Sequence, residues 1–200
     1  MVLNPEAMKK AQEELDRVVG KDRLPDFPDK ENLPYVNALL KELLRWNAPL
    51  PLNFPSKITL DDEYQGYFIP AGATVIQNIW AVFRDPNIYP EPEAFNPDRF
   101  LKDGKLNPLV FDPEVRVFGA GRRTCPGRHF ALQTMYLVIS CVLSVFHIGP
   151  PLNDDGSPQV LKAEFNSVMT RQVFPGIWTG SDADVAQGSQ TFQVHDQTPI

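Results

Sequence analysis

The chain has 200 residues, 42% of them hydrophobic and 22% charged, with 20 prolines and a formal net charge of -6. That length supports one domain with a sizeable core, and the composition is globular rather than disordered. The acidic balance leaves no basic surplus to displace counterions from phosphates, which excludes broad nucleic-acid affinity.

The opening MVLNPEAMKK lacks the apolar core of a signal peptide. Two cysteines, Cys125 and Cys141, cannot build a disulfide framework and read as reduced thiols of an intracellular protein. Asn4 as cap, Pro5 in the first turn and Gly20 at the exit predict a first helix, with Met8, Ala11, Leu15 and Val18 on one face. After a Lys/Asp/Pro-rich connection, a second helix is predicted from Pro34 to Asn47. Val36, Leu39, Leu40, Leu43 and Leu44 form its buried stripe, and Pro49 ends it.

Ser56–Leu60, Tyr64–Ile69 and Thr74–Asn78 then read as short strands, with turns at Asp61-Asp62 and Pro70-Ala71-Gly72. A short helix is predicted over Ile79–Phe83. From Asp85 to Thr124 prolines 86, 90, 92, 97, 108 and 113 predict a long irregular stretch, while Tyr89, Phe95, Phe100 and Phe111 argue against disorder. A long helix follows from Arg128 to His147. The run Phe130–Gly149 is long enough to cross a membrane, but Gln133, Thr134, Ser140, Ser144 and His147 point to a buried core helix. Asn153–Gly156 reads as a turn, Val160–Trp178 as two or three small strands, and residues 181–200 as a flexible tail.

The chemistry concentrates in VFGAGRRTCPGRHFA, Val117 to Ala131. Arg122, Arg123 and Arg128 lie near Cys125 in sequence, and a long helix starts just after it, so cations and backbone N–H groups are on hand for a thiolate. Gly119, Gly121 and Gly127 let the backbone approach a bulky ligand. A zinc site has only His129 close by. A cysteine nucleophile needs a base, and the chain offers only His129, His147 and His195. A single axial thiolate to haem iron needs one cysteine and no other protein ligand on that side. An ordinary loop with a free thiol is the bland alternative.

FGAGRRTCPG matches F-x-x-G-x-R-x-C-x-G through Phe118, Gly121, Arg123, Cys125 and Gly127, and so resembles the signature of the cytochrome P-450 family. The resemblance implies that Cys125 is the axial haem-iron ligand and the catalytic thiolate. It also implies that Phe118 packs beside the haem, that Arg123 binds a propionate, and that Gly121 and Gly127 let the loop pass close to the porphyrin. KELLRW resembles the family's E-x-x-R helix through Glu42 and Arg45, and FNPDRF its following segment, so that Arg99 joins them in a buried triad. Glu14 and Arg17 share the E-x-x-R spacing and read as a solvated ion pair. The wording of GYFIPAGATVIQNIWAVFRDP resembles fungal members.

The implied fold is mainly α with small β-sheets (α+β): residues 1–180 form the C-terminal part of the family's domain, with an irregular meander before the cysteine loop. The chain carries no A/G-G-x-D/E-T segment and no membrane anchor, although full-length relatives are often anchored in the endoplasmic reticulum. Ser56 stands where many relatives place His or Arg for the second propionate, and Lys57 is a substitute. The implied function is haem-thiolate monooxygenation of a small apolar substrate, with electrons from an NADPH-dependent reductase. Pro49–Phe54 and Asn166–Val173 resemble pocket-lining segments. The rival expectation is a truncated, non-catalytic haem-binding remnant or partial gene product.

Overall fold

The structure, a computed structural model, describes residues 1–153 and 155–161. Two amphipathic helices open it. α1 spans Pro5–Val18, with Pro5 supplying a preset first turn. Its exit is made where the N–H groups of Val19 and Gly20 both donate to Leu15 O. α2 spans Pro34–Trp46, and its buried stripe includes Val36, Leu39, Leu40 and Leu44, at the spacing that puts them on one face. Between the two, Phe27–Asn32 forms a 3₁₀ turn capped by Asp26.

Leu33, at the N-cap of α2, has no side-chain acceptor for the first free N–H groups. The acceptor comes from α1. The Glu14 carboxylate takes the N–H of Tyr35 at 3.0 Å and of Val36 at 2.9 Å. Glu14 is buried, while its helical neighbour Arg17 is exposed and 3.9 Å away. The expected solvated ion pair is therefore a cap supplied across two helices.

Met8, Ala11 and Leu15 of α1 pack against Leu33, Val36, Leu39 and Leu40, and a third helix closes this core with Tyr136 and Leu143. Each fully buried side chain of this kind stabilises by roughly 1.5–3 kcal/mol. A second core lies on another side of α2, made by Ala38, Ala48, Ile79, Phe83, Tyr89 and Phe100. Tyr89 meets Phe83, Phe100 and Phe111 edge-on, and its hydroxyl donates to Phe111 O at 2.8 Å. Burial pushes its phenol pKa up.

The strands are shorter than expected and one turn is elsewhere. β1 (Ser56–Lys57) pairs antiparallel with β4 (Thr74–Val75), and β2 (Asp62–Tyr64) pairs with β3 (Tyr67–Ile69). The run Tyr64–Ile69 thus holds a turn rather than one strand. Gln65 and Gly66 both have positive φ, at 50° and 83°, the backbone of a two-residue hairpin loop. Asp61 accepts the N–H of Ala71, which ties the Pro70–Gly72 turn to the hairpin's entry. α3 spans Ile79–Phe83, as predicted, with Asn78 capping it by accepting from Ala81 N.

The 85–124 stretch holds a little regular structure the prolines had masked. It contains a 3₁₀ turn at Pro97–Phe100, a hairpin of β5 (Leu101–Lys102) with β6 (Lys105–Leu106), and a single turn α4 at Glu114–Val117. α5 spans Arg128–Val145 and buries only Tyr136, Ser140 and Leu143 fully. Phe130, Val138 and Val145 are exposed. The expectation of a buried core helix is corrected: α1, α2 and the 27–32 turn cover one face, and the described residues offer no partner for the rest. By length and hydropathy α5 is the one helix among the described residues able to cross a membrane. Its last turn is satisfied from α1, since Gln12 Nε2 donates to Leu143 O and Phe146 O, both at 3.1 Å.

The Asn153–Gly156 turn is closed by Asn153 N–H on Ser157 O at 2.8 Å and by the Leu152–Pro158 bridge. The strands expected in 162–178, the tail and the 166–173 lining segment lie outside the described residues.

Candidate functional site

α2 carries Glu42 and Arg45 at i and i+3, one above the other on the helix face turned to the 83–99 segment. Arg45 donates to both carboxylate oxygens of Glu42, each at 2.7 Å, a bidentate pair with both side chains fully buried. Arg99 joins from the 3₁₀ turn, its Nε 3.3 Å from Glu42 Oε2. The remaining donors reach backbone. Arg45 donates to Phe83 O, Pro92 O and Ala94 O, and Arg99 to Pro90 O, Glu91 O and Ala94 O. Asn96 N–H returns to Glu42 Oε1 at 2.7 Å. Two guanidiniums around one carboxylate so replace the ladder that a proline-rich segment cannot make for itself. Arg45 also stacks over the Tyr89 ring, 5.4 Å from its centre.

The cysteine loop begins where α4 ends. Phe118, half-buried, follows the last residue of α4, and its carbonyl accepts the N–H of Cys125 at 2.7 Å. That bond closes a loop of which Gly121 to Pro126 are all exposed. Gly119 has φ 76° and Gly121 φ 59°, values that favour glycine. A Cβ on Gly119 would also lie 3.2 Å from Arg123 O, tighter than ordinary contact. Gly121–Arg123 makes a 3₁₀ turn, and the Thr124 hydroxyl donates to Gly121 O at 2.8 Å. The backbone thereby folds Phe118, Gly121, Arg123, Cys125 and Gly127 into one short loop that leads into α5.

Cys125 is a free, exposed thiol. A Cβ on Gly127 would touch its sulfur at 3.7 Å, so glycine keeps that side of the sulfur clear. Two expectations about the loop's electrostatics change. The N–H of Arg128 donates to Cys125 O at 3.3 Å and is not aimed at the sulfur. The Arg128 side chain donates to Glu114 Oε2 at 3.2 Å, so its charge is already compensated. Arg122 and Arg123 remain exposed, and neither guanidinium has an ion partner among the described residues.

His129 is exposed, and no group of three or more His, Cys, Asp or Glu side chains able to hold a metal ion gathers among the described residues. Ser56 and Lys57 are exposed on β1, opposite Val75 and Thr74. Cys141 has a different setting: half-buried in α5, its Sγ lies 3.7 Å from Pro25 O, and burial pushes its thiol pKa up.

Sequence reasoning missed a second ionic group beside the loop. Lys41 of α2 lies 2.7 Å from Asp112 Oδ2 and 2.9 Å from Glu114 Oε1. Only the sequence proximity of Arg128 to Cys125 hinted at it; the partners are far apart along the chain.

A family model described as Cytochrome P450 matches residues 1–172. The chain is 52% identical over 160 residues to Cytochrome P450 monooxygenase COX2 of Coprinopsis cinerea, an alignment covering 80% of this chain and 30% of that protein. It is 42% identical over 175 residues to Cytochrome P450 monooxygenase COX1 of the same fungus, covering 88% and 34%. To Tryptamine 4-monooxygenase of Psilocybe cyanescens it is 42% identical over 177 residues, covering 88% and 35%. The chain spans about a third of the length of these curated relatives.

Proposed function

The chain belongs to the cytochrome P450 family, and from that premise we propose that it is the C-terminal, haem-ligating part of a haem-thiolate monooxygenase, with Cys125 as the axial iron ligand. The observation that carries the reading is the closed loop, in which Cys125 N–H binds Phe118 O and an exposed thiol shares one short turn of chain with the exposed Arg122 and Arg123. One soft sulfur donor suits a metal whose other ligands come from its own macrocycle, and does not suit zinc, which wants several protein donors. Exposed guanidiniums without an ion partner among the described residues suit a ligand that brings carboxylates. These residues fit haem.

In this reading Cys125 would hold the iron through its sulfur as thiolate, Arg123 would pair with a propionate, and Phe118 would pack beside the haem. Gly121 and Gly127 keep side chains off the face that meets the ring. When bound, haem supplies dioxygen chemistry, in which one oxygen atom enters an apolar organic substrate and the other leaves as water, with electrons from an NADPH-dependent reductase. The protein's share is to hold the sulfur still, to orient the substrate and to exclude water. The Glu42–Arg45–Arg99 lock holds the 83–99 backbone on which the irregular segment, the family's meander, is built. Pro49–Phe54 contributes to the substrate pocket, an assignment supported by the apolar side chains of Leu52 and Phe54 left exposed there. In this reading the part of the domain that the family model matches, residues 1–172, works inside the cell.

A second reading, a haem-binding but non-catalytic product, is favoured by one observation: among the described residues nothing covers Phe130, Val138 and Val145 of α5, so the apolar surface around the site stays open. The two readings share the ligand assignment and divide on turnover.

The ligand assignment is tested by supplying purified chain with haem, reducing it and adding carbon monoxide. The parent and Cys141→Ser are expected to show the red-shifted Soret band of a thiolate complex, and Cys125→Ser to lack it. An unchanged band in Cys125→Ser overturns the reading.

A further inference from the structure

Successive residues of a helix point about 100° apart, so Lys41 does not face the segment that its neighbour Glu42 holds. It faces the entry to the cysteine loop. There its ammonium bridges Asp112 and Glu114, at 2.7 and 2.9 Å. Glu114 is shared: Oε1 takes Lys41 and Oε2 takes Arg128, the first residue of α5. Asp112 Oδ1 also accepts the N–H of Glu114 at 3.0 Å, which fixes the turn carrying that carboxylate. The Lys41 and Glu114 side chains are 17% and 19% exposed, well shielded for an ion pair. The relay thus runs from α2 to α4 to α5 and ties down both flanks of the loop that presents Cys125.

The loop has few other anchors. Val117 packs against the second core and Pro113 is buried, but no residue of α4 is fully buried and Gly121 to Pro126 are all exposed, so apolar packing holds the loop only at its entry. The bond between Cys125 N–H and Phe118 O closes the loop on itself without attaching it to anything. The ionic relay adds the link between the loop's two flanks, and it leads to the helix that also carries the Glu42–Arg45 pair. Arg128 Nε is buried without a partner among the described residues, so Glu114 is the acceptor that holds this guanidinium.

We propose that Lys41, Glu114 and Arg128 are positioning residues for Cys125: they fix the thiolate loop to α2 and so set how firmly the sulfur holds its iron. The inference rests on the reading of Cys125 as the axial ligand. Its consequence is read in the ligation itself. In the haem-loaded protein, reduced and bound by carbon monoxide, Glu114→Gln and Lys41→Met are each expected to convert thiolate-ligated to thiol-ligated species roughly tenfold faster than the parent, well below the melting temperature. Lys41→Arg is expected to restore the parental rate. Arg23→Gln breaks a bidentate pair with Asp29, at 2.7 Å on both arms, away from the loop, and is expected to lower the melting temperature without changing that rate. If Glu114→Gln fails to fold, the Lys41→Met and Lys41→Arg pair decides. Parental rates in Lys41→Met, or equal acceleration in Arg23→Gln, overturn the positioning role while Cys125 remains the ligand. A thiolate band that survives Cys125→Ser removes the axial-ligand reading and this inference together.

Discussion

Glu42 accepts hydrogen bonds from Arg45, Arg99 and the Asn96 backbone, and its side chain is wholly buried. Replacing it with alanine strands two guanidiniums in the interior, a loss on the order of 3–5 kcal/mol for a broken buried ion network. Glu14→Ala removes a cap rather than a surface charge, and is expected to cost about 0.5–2 kcal/mol through the frayed start of α2. Denaturant melts of both variants give the comparison: a Glu14→Ala loss matching that of Glu42→Ala would mean that the cap, not the lock, holds α2. Sequence spacing made Glu42 and Arg45 legible because the i, i+3 pair is local and the apolar stripe around it is regular. The role of Glu14 was not legible. Its donors lie 21 and 22 positions away, on a helix whose own N-cap is a leucine.

Helices α1, α2 and α3 follow the sequence closely, since proline at an entry and an apolar stripe are local signals. The hairpins do not. Tyr64–Ile69 is rich in the aromatic and β-branched residues that favour strands, and Gln65 is not a residue that advertises positive φ, so the turn at Gln65-Gly66 was hidden inside the run. Asp103 and Gly104 carry the same signal between Lys102 and Lys105, but the surrounding prolines masked it. In the cysteine loop the element is held by backbone shape. Gly119→Ala is expected to weaken haem retention severalfold, because the new methyl meets both a positive φ and the Arg123 carbonyl. Gly149→Ala has open space around it and serves as the control. Haem transfer to an acceptor protein measures both; equal retention would mean that the loop relaxes around the added methyl.

At the scale of the molecule, α5 is apolar on more faces than its neighbours cover, and the β2–β3 hairpin exposes Tyr64, Tyr67 and Phe68. Such surface is characteristic of contact faces. The Cys125 sulfur is likewise open to solvent. Apolar faces left uncovered give a substrate no closed, dry pocket, and water there weakens the electrostatic effects a monooxygenase relies on and diverts reduced oxygen species from substrate. The chain on its own is therefore expected to consume NADPH, with reductase, without stoichiometric product from a panel of apolar substrates. Coupled hydroxylation that vanishes in Cys125→Ser would show instead that these residues suffice for the reaction. Composition and pattern forecast the helices of this assembly, but not which faces stay open, since burial depends on partners remote in sequence.

The lock reads main chain, not side chains. Arg45 and Arg99 bind the carbonyls of Phe83, Pro90, Glu91, Pro92 and Ala94, groups that every amino acid carries. The lock therefore asks nothing of the side chains it holds: within 83–94 only Phe83 and Tyr89 are fixed by burial in the second core, while positions such as 86, 87, 90, 91, 93 and 94 are exposed. At those exposed positions the segment can be respelled without disturbing the bonds that fix its path.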